Sequence, residues 1–168
     1  GRWRRTPWEC PAKTTKNDQP SIIVLLPVWN ESLIIEKKLS NLASLEGPPV
    51  DLLLIDSAST DSTLKHAKGW LKDNPDAFGN VELIEMSSRE GKSKAVQVAL
   101  QSLEKRSFSG LICMTDADAH LPKNAVVRLA GWFEDPTVGA VGASAHRSGG
   151  LGQETTHRSM FELLREGE

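Results

Sequence analysis

The sequence predicts an α/β fold, a doubly wound and mainly parallel sheet with helices on both of its faces. Short apolar runs alternate with longer segments whose apolar residues recur at helical spacing, and Gly- and Pro-rich stretches separate the two. Strands that are joined by helices run parallel, because the crossover returns the chain to the same end of the sheet. In such sheets ligands bind beyond the carboxyl ends of the strands.

The first half of the chain is predicted to contain two apolar strands, each followed by a helix. Ser21–Leu26 is predicted as a strand that is buried on both faces, and Glu31–Leu45 as a helix with Asn30 at its N-cap. Val50–Ile55 is the second predicted strand. The second helix is expected to start at Thr60 or Asp61 and to reach about Lys72.

The second half repeats the same pattern. Val81–Met86, Leu111–Thr115 and Val138–Ala143 are predicted strands; Gly91–Arg106, the segment from Pro122 to Phe133 and Glu154–Arg165 are predicted helices. We therefore expect the order βαβαβαβαβα over residues 21–168. Residues 1–20, with two tryptophans and five basic residues, are predicted to form an irregular basic and aromatic arm, or a segment that lies near an anionic membrane surface.

Composition narrows the classes of function. The chain has 168 residues, 25% charged residues and a formal net charge of -2, which excludes a disordered chain and a globally basic nucleic-acid binder. No apolar run reaches the roughly 18–20 residues that cross a bilayer. Cys10 and Cys113 do not make a disulfide framework, so a reducing, cytoplasmic location is expected, with Cys113 buried in a strand.

Polar residues follow four predicted strands, and the topology brings these strand ends to one rim. Asp116-Ala117-Asp118 is the sharpest pattern, because two carboxylates just past a buried strand suit Mg²⁺ or Mn²⁺, which completes its shell with phosphate oxygens and water. The alternative is a solvated acidic turn. Arg89 and Lys92 flank Gly91 at a predicted helix start, which suits an anion, although for any lone Arg or Lys a solvated charge at a turn is the better explanation. Asp56 is interpreted either as an acceptor for a ribose hydroxyl or a base N–H, or as a helix cap.

Taken in order, four motifs resemble those of the family 2 glycosyltransferases, which have the GT-A fold. The motifs are P-x-x-N-E at residues 27–31, D-S-A-S-T-D-S-T at 56–63, R-x-G-K-x-x-A at 89–95 and D-A-D at 116–118. The resemblance covers about residues 20–165. It implies a nucleotide-sugar donor, usually UDP-linked, with Mg²⁺ or Mn²⁺ bridging its diphosphate.

The resemblance also implies a role for each matching residue. Pro27, Asn30 and Glu31 would line the base and ribose pocket, Asp56 would contact the base, and Arg89 and Lys92 would contact the base or the phosphates. Within the D-A-D motif, Asp116 would face the ribose and the metal, Ala117 would line the nucleotide, and Asp118 would bind the metal.

The sequence departs from the family pattern in two ways. Ser57 stands where the family often has a second acid, and this leaves the identity of the base open. The acidic general base and the acceptor-side motif of processive members are expected downstream of this chain, so no catalytic residue is assigned within it. The expected acceptor is a glycan or a lipid, and the processive members imply membrane association of the full-length protein.

Two other functions fit the residues. One is a phosphatase-like α/β hydrolase that uses D-x-D as nucleophile and acid, although that chemistry usually follows the first strand and not the fourth. The other is a nucleotide-binding module that keeps the fold without the reaction.

Overall fold

A computed structural model describes residues 20–143 and 161–165, which form one six-stranded mixed sheet with helices on both faces. The strands are β1 (Ile22–Val28), β2 (Asp51–Asp56), β3 (Val81–Glu85), β4 (Leu111–Met114), β5 (Ala140–Ala143) and β6 (Phe161–Arg165). The helices are α1 (Ile35–Ala43), α2 (Thr63–Asp73), α3 (Lys92–Lys105) and α4 (Ala125–Ala130), and a 3₁₀ turn, Gly131–Glu134, follows α4. The predicted arm at residues 1–20 lies outside the described residues, apart from Pro20.

The strand order is β3-β2-β1-β4-β6-β5, and β1 pairs in parallel with both β2 and β4. The chain therefore builds the sheet outward from β1 in one direction, and β4 then pairs on the other side of β1. Where strand order reverses in this way, a crevice opens at the carboxyl ends of the strands. Here α1 and α2 lie on one face of the sheet, and α3, which connects β3 to β4, lies on the other. This reversal places the crevice between the ends of β1 and β4.

Two apolar clusters hold the helices against the sheet. On one face, α1, α2 and α4 contribute Ile35, Leu39, Ala67 and Val126 to a cluster with the side chains of alternate strand residues. On the other face, α3 packs Ala95, Ala99 and Leu103 against the remaining strand side chains. Because both faces are covered, β1, β2 and β4 are continuous apolar runs, as expected of parallel strands. The doubly wound, mainly parallel prediction is confirmed.

β1 continues through Pro27 to Val28, two residues beyond its predicted end. Leu25 accepts a backbone hydrogen bond from Thr115, on the β4 side, whereas Val28 accepts one from Ser57, on the β2 side. Pro27 lies two residues after Leu25, so its backbone faces the same neighbouring strand. The N–H that proline lacks would therefore point toward β4, which has already ended at Met114. The proline therefore costs the sheet no hydrogen bond and lies at the crevice.

The predicted helix over Glu154–Arg165 is wrong at its C-terminal end. Phe161–Arg165 is strand β6, which pairs antiparallel with both β4 and β5. Its residues favour a helix in isolation, but backbone hydrogen bonding on both edges outweighs that weak local preference. Residues 154–160 lie outside the described part. The strict βα alternation consequently fails after β5, and the sheet is mixed instead of wholly parallel.

Three predicted helix starts are also wrong. α4 begins at Ala125 and not at Pro122, and the other two starts follow β1 and β2. α1 begins at Ile35 and not at Glu31, and Asn30 does not cap it. Asn30 has a φ of 55°, and its side chain bonds to Thr60 across the crevice edge. α2 begins at Thr63, after the predicted Thr60 or Asp61, because the intervening residues form the loop that receives Asn30. In both places a polar loop replaces the first predicted turn of helix.

Candidate functional site

The loops after β1 and β2 are bonded to each other. The Asn30 backbone N–H donates to Ser59 Oγ at 2.9 Å, and the Thr60 N–H donates to Asn30 Oδ1 at 2.8 Å. The Glu31 N–H donates to Thr63 Oγ1 at 2.7 Å. These bonds explain the left-handed backbone at Asn30, a conformation that asparagine tolerates better than most residues. The residues after β1 that are predicted to line the base and ribose pocket are thus held against the end of β2.

Asp56 is the last residue of β2, and its side chain is only 3% exposed. Its Oδ2 accepts the Ser59 N–H at 3.0 Å, but its Oδ1 is buried and finds no hydrogen-bond partner among the described residues. The Oγ of the next residue, Ser57, is also buried and also has no hydrogen-bond partner among the described residues. An unsatisfied buried polar atom costs about 1–3 kcal/mol. Within the described part of the chain, Asp56 Oδ1 is therefore an unsatisfied acceptor at the carboxyl end of β2, the edge at which such sheets bind their ligands.

The helix-cap interpretation of Asp56 is wrong, because its Oδ2 accepts from the loop residue Ser59, and it is Asp61 that bonds to Thr63, the first residue of α2. Asp61 Oδ1 accepts from the Thr63 N–H at 2.9 Å and from Thr63 Oγ1 at 2.5 Å, and its Oδ2 accepts from the Ser32 N–H at 3.2 Å. Although desolvation acts to raise the pKa of the exposed Asp61, these hydrogen bonds from Thr63 and Ser32 lower it to about 2. Asp61 therefore orders the loop, and Asp56 is left free to accept from a ligand.

The loop after β3 contacts the ends of two other strands. The Arg89 guanidinium lies over the Trp29 ring, 3.3 Å from its centroid. Gly91, with a φ of 88° that favours glycine, turns the chain into α3, and Lys92 then forms an ion pair with Asp116 after β4. Arg89 and Lys92 are therefore part of the same rim as the residues that follow β1 and β4.

Glu31, which follows β1, is close enough to Asp116 and Asp118, which follow β4, for their charges to act on it. Burial raises the pKa of Glu31, and the nearby charges of Asp118, Asp61 and Asp116 raise it further. Among the described residues, no three acidic, histidine or cysteine side chains come together as a complete metal cage. One or two carboxylates with room for water and phosphate is the arrangement that Mg²⁺ and Mn²⁺ favour.

The residues on either side of the D-A-D motif are hydrogen-bonded to helix α1. Lys38 reaches from α1 to bond with Thr115 and Ala119 on either side of the motif. Sequence reasoning missed Lys38 and Asn41, which are buried polar residues on the apolar face of α1. The signal that could have found them is the spacing of three residues from Ile35 to Lys38 and again from Lys38 to Asn41. Trp29 was likewise not assigned a role, although it lies inside the P-x-x-N-E motif.

The structure brings the predicted site residues to one rim. Pro27, Asn30 and Glu31 are at the end of β1, Asp56 at the end of β2, Arg89 and Lys92 before and at the start of α3, and Asp116, Ala117 and Asp118 after β4. The contacts Asn30–Thr60, Trp29–Arg89 and Lys92–Asp116 join these loops around the reversal of strand order. A doubly wound sheet with acidic and basic groups at this crevice is the arrangement of a nucleotide-binding α/β protein.

The chain belongs to glycosyl transferase family 2, whose model matches residues 23–167. It is 28% identical over 124 residues to an N-acetylglucosaminyltransferase of Azorhizobium caulinodans, covering 73% of this chain and 30% of that protein. It is 29% identical over 121 residues to a poly-beta-1,6-N-acetyl-D-glucosamine synthase of Staphylococcus aureus, covering 71% of this chain and 27% of the relative. The chain thus spans less than a third of these curated relatives.

Solved structures agree with the family. The mannosyltransferase PcManGT of Pyrobaculum calidifontis, solved in complex with GDP-Man and Mn²⁺, superimposes with a TM-score of 0.71 at 32% identity, covering 84% of this chain and 40% of the other. TarS 1-349 of Staphylococcus aureus, in complex with UDP-GlcNAc, gives a TM-score of 0.61 at 19% identity, with coverage of 79% and 37%. The GT-A fold predicted from the motifs is confirmed. No helix among the described residues is long and apolar enough to cross a membrane.

Proposed function

We propose that this chain is the donor-binding part of a glycosyltransferase that moves a sugar from a nucleotide diphosphate to an acceptor hydroxyl with inversion. The observation that carries the proposal is the Lys92–Asp116 ion pair at the crevice between β1 and β4, with Glu31 within range of the charges of Asp116 and Asp118. The buried Asp56 Oδ1, which has no hydrogen-bond partner within residues 20–143 and 161–165, lies at the end of the adjacent strand β2. Membership in glycosyl transferase family 2 supports the proposal.

Each group has a chemical task in this proposal. Asp56 Oδ1 accepts an N–H of the base, which satisfies a carboxylate oxygen that is otherwise buried without a partner. Lys92 exchanges Asp116 for a phosphate oxygen at small cost, since a half-exposed ion pair contributes about 1 kcal/mol or less. Asp118, with Asp116, holds Mg²⁺ or Mn²⁺. When held there, the metal would supply positive charge against the negative charge that develops on the departing diphosphate.

The reaction forms a bond between the acceptor oxygen and the anomeric carbon as the bond from that carbon to the diphosphate breaks. The electron pair of the broken bond stays on the diphosphate, and an acidic general base takes the acceptor proton. We assign that base to a residue outside this chain. The isolated chain is therefore expected to bind nucleotide and metal but to transfer sugar poorly, and robust transfer by it would contradict this assignment.

Calorimetry of UDP binding, with Mn²⁺ and with EDTA, tests the proposal. We expect Mn²⁺ to tighten binding in the wild-type chain, and Asp118→Asn to remove most of that gain because it removes a metal ligand. Asp73→Asn makes the same chemical change on exposed α2, at the opposite end of the helix from the crevice, and is expected to behave as wild type. No metal-dependent binding, or no loss in Asp118→Asn, would overturn the proposal.

The base of the donor has two candidates. The family resemblance favours uracil, and we propose a UDP-linked sugar on that ground. GDP is the second candidate, because the 32% identical mannosyltransferase structure holds GDP-Man. Parallel titrations with UDP and GDP separate the two, and the nucleotide with the tighter metal-dependent binding identifies the donor. Binding without transfer by the full-length protein would instead indicate a non-catalytic module.

A further inference from the structure

Lys38 is a lysine whose side chain is buried beneath the D-A-D loop. It lies on α1, is only 3% exposed, and its Nζ donates to Thr115 Oγ1 at 2.8 Å and to the Ala119 carbonyl at 2.5 Å. Lysine is almost never fully buried unless its charge is paired or hydrogen-bonded, because leaving water is costly. The two acceptors stand immediately on either side of the residues 116–118.

Asn41 holds the same loop one turn further along α1. Its Nδ2 donates to the Leu121 carbonyl at 2.8 Å, and its Oδ1 accepts the Leu121 N–H at 2.9 Å. Residues three apart share a helix face, so Lys38 and Asn41 form one polar strip within the buried side of α1. Four hydrogen bonds from this strip therefore fix the loop at residues 115, 119 and 121, while the two aspartates between them carry none of these bonds.

Asp116 and Asp118 are close enough to Lys38 to affect its titration. Burial lowers the pKa of Lys38 to about 8, and the charges of Cys113, Asp116 and Asp118 act in the opposite direction. A cation at this distance also repels a divalent metal held by the same aspartates. If charge alone mattered, removing Lys38 would tighten metal binding, so the sign of the effect separates a positioning role from a purely electrostatic one.

We propose that Lys38, supported by Asn41, is a positioning residue that fixes the D-A-D loop so that Asp118 faces the metal-bound diphosphate. The inference deepens the proposed function and rests on it. Lys38 does not touch the nucleotide in this account. It acts through Thr115 and Ala119, much as the hydrogen-bond partners behind metal ligands orient them in metalloproteins.

The test compares UDP affinity with Mn²⁺ and with EDTA in Lys38→Met, a nearly isosteric change that deletes the ammonium. Partners behind metal ligands typically contribute 10- to 100-fold in metal affinity, so we expect the gain from Mn²⁺ to fall about tenfold. Affinity in EDTA should stay within about twofold, since Lys38 does not contact the base site. Lys37→Met is the matched control, because Lys37 is the exposed neighbour on α1, and it should keep the full gain.

Several results would overturn the inference. An unchanged or larger gain from Mn²⁺ in Lys38→Met would exclude positioning, and equal weakening with Mn²⁺ and with EDTA would indicate general damage to the fold. If Lys38→Met does not fold, Thr115→Val removes one of the two acceptors and keeps the lysine; a smaller loss in the same direction supports the inference, and no loss overturns it. A wild-type chain that gains nothing from Mn²⁺ would refute the proposed function, and this inference with it.

Discussion

The buried ammonium of Lys38 makes the stability of the fold depend on pH in a direction that is unusual for a lysine. Burial lowers its pKa from 10.5 to about 8. Between these values the unfolded chain binds a proton that the folded chain has released, so the free energy of unfolding rises with pH. Below about pH 8 both states carry the proton, and the full cost of burying the charge is present.

The magnitude follows from the size of the shift. A displacement of about 2.5 pKa units corresponds to about 3 kcal/mol at neutral pH relative to strongly alkaline solution. Integrating the linkage relation from pH 7 to pH 9 gives a gain of about 1 kcal/mol. The range ends at pH 9 because burial raises the pKa of Cys113 to about 12, so ionisation of the unfolded thiol, from about pH 9 upward, acts in the opposite direction.

Urea unfolding followed by circular dichroism at pH 7, 8 and 9 measures this gain. Wild type and Lys37→Met should each gain about 1 kcal/mol more over this range than Lys38→Met, which has no ammonium to discharge. Comparing the variants cancels every other group that titrates in common. Parallel pH profiles for wild type and Lys38→Met would refute the reasoning, since the ammonium would then titrate alike in both states.

Three further predictions concern packing and ligand linkage. Leu53→Ala should destabilise the fold by about 2–5 kcal/mol in urea unfolding, because Leu53 is fully buried in β2, whereas Leu33→Ala, at a 90% exposed position, should change it by less than about 0.5 kcal/mol. Gly110→Ala should lower the free energy of unfolding by about 1–3 kcal/mol, because the added Cβ would stand 2.3 Å from the Ser21 carbonyl oxygen. Gly69→Ala, in open space within α2, should raise it by about 0.5–1 kcal/mol. Equal effects of the two substitutions would contradict the packing. UDP with Mn²⁺ at about a hundredfold Kd should raise the unfolding free energy by about 2.7 kcal/mol, and the gain that depends on metal should disappear on adding EDTA.

The sequence was sufficient for the strands that form the centre of the sheet. β1, β2 and β4 are buried on both faces, so their continuous apolar runs have no competing interpretation. The polar residues that follow them were correctly expected at one edge, because parallel topology alone brings strand ends together. That is why the rim could be predicted without any knowledge of contacts.

The features that sequence could not predict depend on contacts between distant segments. β6 exists because β4 and β5 present free backbone groups on either side of it, a fact that the local sequence Phe161–Arg165 does not carry. Asn30 is of a residue type that commonly caps helices, but its side chain bonds instead to Thr60, thirty residues away. Lys38 looks like a solvated charge until its acceptors, about eighty residues away, are known. In each case a tertiary partner outweighs a weak local preference.

The most direct test of the account is a crystal structure of this chain with UDP and Mn²⁺, with the metal located by its anomalous scattering. The account predicts an anomalous peak in the crevice between β1 and β4, bonded to the Asp118 carboxylate and to the diphosphate, with the base against Asp56. A nucleotide bound elsewhere on the chain, or Mn²⁺ bound away from Asp118, would contradict it.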